Sequence, residues 1–104
     1  MNIHGFYKTM CQNEHVSPIP LKFGNVGKGG ACLIYNAKTF EPLSIKIDKN
    51  RLDDIAYGLY HEFAHQICLI KYKYAGHGVK FRKIFNYINE KNKIIDRKQV
   101  FTIK

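Results

Sequence analysis

Acidic residues are scarce in this chain of 104 residues: eight Asp and Glu stand against 17 Lys and Arg, a formal net charge of +9. The shortage is uneven. Residues 1–70 carry seven basic side chains against six acidic ones, whereas residues 71–104 carry ten against two. Such a block points to a polyanion partner, nucleic acid first, or else to a solubilising face. Cysteine is sparse too. Cys11, Cys32 and Cys68 form neither an even set nor a C-x-x-C, which argues against a disulfide framework and a zinc ribbon and implies a reducing compartment. No apolar run reaches membrane-spanning length, no long amphipathic helix segregates the charge, and the N-terminus lacks the apolar segment of a secretory leader. The expected setting is therefore soluble and intracellular, cytoplasmic or nuclear, with no membrane partner.

Internal repeats and low-complexity tracts are also missing, and the length leaves room for one core, so a single domain is expected over 1–104. Its content is 45% apolar and 13% aromatic, enough to pack a globule. Residues 1–26 form a poorly defined N-terminal segment: Phe6, Tyr7 and Met10 have partial helical spacing, but Gly5 and Gln12-Asn13-Glu14 weaken it. Pro18 and Pro20 exclude a helix there, and Leu21-Lys22-Phe23 reads as a short edge strand. The glycine-rich stretch 24–30 lacks the Gly-Lys-Ser/Thr of a phosphate-binding loop and reads as a hairpin connection to a strand at Ala31–Tyr35. Residues 43–48 alternate apolar and polar, the period of a strand with one buried face.

A long helix is expected from about Asp53 to Tyr74, stopping at Gly76, with Ile55, Leu59, Phe63, Ile67 and Ile70 as its core stripe. Gly58 within it suggests close packing. A second helix is expected over about 79–91, with Val79, Phe81, Ile84, Phe85 and Ile88 inward and Lys80, Arg82 and Lys83 outward; Val100–Ile103 reads as a final strand. The expected fold is α+β: a small antiparallel sheet of about three strands packed on these two helices.

The first helix contains His61-Glu62-Phe63-Ala64-His65, a complete H-E-x-x-H. At ~100° per residue, positions four apart lie about 40° apart on a helix surface, so one turn aims both imidazoles at one point. Glu62 projects from the neighbouring edge, in reach of a metal-bound water without being a ligand. Zinc peptidases use this arrangement, with the glutamate as general base. The motif is short enough to occur by chance, and its context decides. A catalytic zinc takes three protein ligands. The extended H-E-x-x-H-x-x-G-x-x-H pattern fails, because positions 68 and 71 are Cys and Lys. His77 and Glu90 remain as third-ligand candidates. His77 is the better placed, since Gly76 and Gly78 on either side suit a tight turn with unusual dihedrals. Cys68 shares a helical face with the two histidines and reads as a buried structural thiol, while His4 and His15 have no ligand spacing. Tyr72 and Tyr74, interleaved with Lys71 and Lys73, suit either stacking on nucleotide bases or capping of the core.

Four blocks in order resemble the SprT-like (Spartan-type) metallopeptidase family: Gly27-Lys28-Gly29-Gly30-Ala31-Cys32, Pro42–Ile47, Leu59–His65, and Gly76-His77-Gly78-Val79-Lys80-Phe81, which matches its G-H-G-x-x-F segment. The resemblance covers about residues 27–90. It implies a minimal zincin-like core, one zinc per chain held by His61, His65 and His77, and Glu62 as the base. It further implies a protein or peptide substrate, with DNA as a stimulus or as the support of that substrate, as in some family members. Lys71, Lys73, Lys80, Arg82 and Lys83 are the nucleic-acid-binding candidates. The competing expectation is a basic nucleic-acid- or protein-binding module whose zinc is structural. Glu62 argues against it, because a structural site needs no carboxylate beside its first histidine.

Overall fold

The computed structural model describes residues 2–26, 30–48, 50 and 55–92. Its elements are α1 (Ile3–Glu14), β1 (Leu21–Phe23), β2 (Ala31–Tyr35), β3 (Pro42–Ile47), α2 (Ile55–Tyr72) and α3 (Val79–Lys91). The α+β class expected from the sequence is what the chain adopts. Among the described residues, no helix is long and apolar enough to cross a membrane. The start of the first expected helix near Asp53 and the strand at 100–103 lie outside the described residues.

The N-terminal segment is better defined than its sequence suggests. The Asn2 side chain caps α1 by accepting from the backbone N–H groups of His4 and Gly5 at 2.9 and 3.2 Å. The inward residues are Ile3, Tyr7, Met10 and Cys11, the one-stripe spacing of an amphipathic helix. Gly5, Gln12 and Asn13 fall on the exposed side and do not interrupt that stripe. His15 closes the helix in the left-handed region at φ 57°. Its N–H bonds to the Gln12 carbonyl at 3.2 Å and that of Val16 to Cys11 at 3.0 Å, a Schellman closure made without glycine.

The sheet differs from the expected antiparallel one. Its order is β1-β3-β2, with β2 antiparallel to β3 but β1 parallel to it, in register Leu21↔Ile45 and Phe23↔Ile47. The stretch 24–30 is therefore not a hairpin connection. It joins the two outer strands, and β3 enters later between them. Ile45 and Ile47 face inward onto α2 and α1, completing a core with Ile55, Leu59, Tyr60, Phe63, Ile67 and Ile88.

The expected stripe of α2 holds for four of its five members. Ile70 keeps the angle but sits in the last turn, beyond the core cluster, and is 44% exposed. Val79, at the first turn of α3, is likewise exposed, while Phe81 and Ile88 are buried. Gly58 does mark close packing: a Cβ there would lie 3.3 Å from Ala31 Cβ, so its absence lets α2 lie close against β2. A buried relay ties α1 to the middle of α2. The Tyr7 hydroxyl donates to Gln66 Oε1 at 2.7 Å and accepts from the Ile19 N–H at 3.1 Å, and Gln66 Nε2 donates to the Ser17 carbonyl at 2.9 Å.

Candidate metal centre

α2 presents His61 and His65 one turn apart, with ring centroids 4.9 Å from each other. α2 then stops at Tyr72, two residues before the expected end, because Lys73 turns into the left-handed region at φ 50°. The Lys73 N–H still reaches the Leu69 carbonyl at 3.1 Å, and that of Tyr74 reaches Cys68 at 3.3 Å, so the reversal is tied to the helix it leaves. This turn brings His77 back. Its Nε2 lies 3.1 Å from that of His65 and 3.3 Å from that of His61. The three histidines are close enough to hold a metal ion. Glu90 and Cys68 are not in that group. Cys68 is instead fully buried with Ala64 and Phe81, and its thiol is pushed up by that burial, as a structural role requires.

The glycines around His77 act differently from the expectation. Neither Gly76 nor Gly78 takes a positive φ. Both instead face the Tyr74 phenol, where a Cβ would strike its oxygen. Tyr74, whose place in the sequence suits stacking or capping of the core, is thus a residue of the site. Phe81 is another. Its ring stacks on His65 at 4.3 Å and meets the His61 and His77 rings edge-on at 4.9 and 5.0 Å. The last position of G-H-G-x-x-F is thus an aromatic floor under all three imidazoles, and the motif's spacing was the signal for it.

Burial sets the electrostatics. Desolvation lowers the His65 imidazole to about 4, assisted by the neighbouring His61 and His77. Desolvation also lowers His61, with a further push from His77. Both rings are neutral near pH 7, the form that coordinates a metal. His61 Nδ1 is buried and has no hydrogen-bond partner among the described residues. Glu62 is 6% exposed, and desolvation raises its carboxyl to about 7.

These groups open onto a cleft of about 290 Å³ whose opposite wall is β2, contributing Ala31, Cys32, Leu33 and Tyr35. β2 is an edge strand. The Asp48 N–H bonds to the Gly30 carbonyl at 2.7 Å, and ladder alternation then turns the backbone groups of Cys32 and Ile34 toward β3. Those of Ala31 and Leu33 are left facing the open side. Among Tyr35, Tyr60, Tyr72 and Tyr87, it is Tyr35 that lines the cleft. The Tyr60 hydroxyl approaches the Asn92 carbonyl at 3.5 Å, that of Tyr87 bonds to Glu14 at 3.1 Å, and Tyr72 lies under Lys80.

Lys71, Lys73, Lys80, Arg82 and Lys83 are all exposed. Lys80 Nζ lies 5.1 Å from the centre of the exposed Tyr72 ring, which joins the basic end of α2 to the basic start of α3 beside His77. His15 serves as a helix cap, and His4 packs edge-on against Phe23 at 5.6 Å, both away from the histidine group.

Fold and site together define a small α+β chain with a three-histidine, metal-competent cleft. No protein-family model, curated protein or solved structure matches the chain.

Proposed function

We propose that the chain is a zinc-dependent metalloendopeptidase of the SprT-like type, acting on peptide bonds of a protein or peptide substrate. The observation that carries this reading is the convergence of His61, His65 and His77 Nε2, with gaps of 3.1 and 3.3 Å, beside a buried Glu62 on the same cleft wall. Two nitrogens about 2.0–2.1 Å from a tetrahedral zinc lie roughly 3.3–3.4 Å apart, so the residues present fit that ion. Bound there, zinc supplies Lewis acidity and a water acidic enough to be deprotonated near neutral pH. The Glu62 carboxyl on the same wall would be the group that accepts a proton and passes it to the leaving amine. The outward backbone groups of Ala31 and Leu33 receive an extended substrate by strand addition, which reads main chain more than side chains. Tyr35 is the donor assigned to the substrate carbonyl oxygen.

DNA is proposed as a second partner, bound through Lys71, Lys73, Lys80, Arg82 and Lys83, with Tyr72 available to stack. The same exposed cations favour the alternative of a binding module with a structural metal. Against it stands Glu62, a carboxyl that lines the cleft beside the three histidines but lies outside the ligand group. The test is cleavage of casein by the zinc-loaded chain with and without single-stranded DNA. Glu62→Gln is expected to retain zinc and to lose about 100-fold or more in turnover. Stoichiometric zinc without cleavage under either condition contradicts the peptidase and supports the binding module.

A further inference from the structure

We infer that Tyr74 is the positioning residue of the site: its phenol is the template that presents His77 to the His61–His65 pair. The inference rests on the proposed metal site.

Three observations converge on this side chain. Its hydroxyl accepts the Gly78 N–H at 2.7 Å, closing a loop around His77. Gly78 is also the N-cap of α3 and has no side-chain cap, so the same bond fixes where α3 begins. The second observation is the space the phenol occupies. A Cβ on Gly76 would stand 2.7 Å from the Tyr74 oxygen and 2.9 Å from Cζ, and one on Gly78 would meet the oxygen closer still. Since neither glycine has a positive φ, contact with Tyr74 and not backbone conformation demands glycine at both positions. Third, the Tyr74 ring packs against Ala64, Cys68 and Phe81, and its N–H is held by the Cys68 carbonyl. The template is therefore seated on the helix that carries the other two ligands and on the ring that floors all three.

His77 most needs such a device. His61 and His65 inherit their alignment from α2, whereas His77 sits on a turn whose order must come from elsewhere. If the turn samples other arrangements, metal affinity falls by the fraction of time His77 is out of place.

The experiment is a double-mutant cycle on the full chain: unaltered protein, Tyr74→Phe, Gly78→Ala and the double variant. Each is measured for zinc affinity by competition with a chromophoric chelator, for Gly78 amide exchange in the metal-free state, and for thermal midpoint. Tyr74→Phe keeps the ring in the core, so the midpoint is expected to change little. Gly78 exchange should speed up, and zinc affinity should fall by about tenfold or more. Gly78→Ala should weaken zinc binding strongly beside Tyr74 but much less beside Phe, because the oxygen its Cβ would strike is gone. Unchanged zinc affinity in Tyr74→Phe, or strictly additive effects of the two substitutions, overturns the positioning role. An unaltered chain that binds no zinc overturns the metal reading beneath it, and the titration of that chain tells the two failures apart.

Discussion

At the level of single residues, the three imidazoles share one aromatic floor, and the buried His61 Nδ1 has no hydrogen-bond partner among the described residues. Phe81 touches all three rings, is 3% exposed, and belongs to both the metal site and a small core cluster with Ala64 and Cys68. Phe81→Leu keeps an apolar side chain there but removes the flat face on which His65 stacks. Zinc affinity is expected to drop by about tenfold, while circular dichroism and the thermal transition of the metal-free chain remain cooperative. Equal zinc affinity would mean that the ring beneath the imidazoles does not align them. Charge acts in the same direction as packing. His61 and His65 are kept neutral by burial, so little proton release opposes metal binding at neutral pH.

At the scale of elements, α1 is fastened to α2 by the Tyr7–Gln66–Ser17 relay, one position beyond His65. Tyr7→Phe leaves Gln66 Oε1 and the Ile19 N–H without their partner, a cost of about 1–3 kcal/mol at neutral pH. The relay also fixes a pH dependence. Burial holds the Tyr7 phenol above its ordinary 10.0 and the Cys11 thiol above its ordinary 9.0. Raised values in the folded state mean that the unfolded chain releases these protons first. Their contribution to stability is intact below about pH 9 and declines as pH rises through 9 and 10. Thermal midpoints measured from pH 7 to 11 should fall on the alkaline side, and less steeply in Tyr7→Phe than in the unaltered chain. A parallel fall in both would remove Tyr7 as a cause.

Much of the site was legible in the sequence because a helix converts spacing into direction. His61 and His65 at four residues, and the α3 stripe from Phe81 to Ile88, needed only the helical period. The sheet order was not legible. Periodicity shows that 43–48 is a strand with one buried face, but which strands flank it depends on contacts far apart in the chain, and two prolines and seven loop residues around Leu21–Phe23 suit either pairing. α1 was obscured because its polar residues and Gly5 lie on the solvent side, where helix breakers cost least in packing. Tyr74 was obscured for another reason: the glycines of Gly-His-Gly suggest backbone freedom, whereas the structure uses them as empty space for a neighbouring ring.

At the scale of the whole molecule, charge and site meet at one end. The exposed cations of α2 and α3 flank the turn that carries His77, so a bound polyanion would lie beside the cleft mouth. Binding of single-stranded DNA should weaken with salt, the slope of log K against log salt shrinking by about 0.7 for each phosphate contact removed. Lys71→Ala, Lys73→Ala, Lys80→Ala and Lys83→Ala are expected to reduce that slope stepwise, read by fluorescence anisotropy across a salt series. A slope that stays constant through all four would place any DNA contact elsewhere.

In the proposed site the three histidines hold one metal ion, and Glu62 serves chemistry and not coordination. Zinc content per chain after reconstitution and desalting, measured by elemental analysis, tests it most directly. One zinc per chain is expected in the unaltered protein and in Glu62→Gln, with zinc lost in His77→Ala. Full retention of zinc by His77→Ala, or no zinc in the unaltered protein, would contradict it.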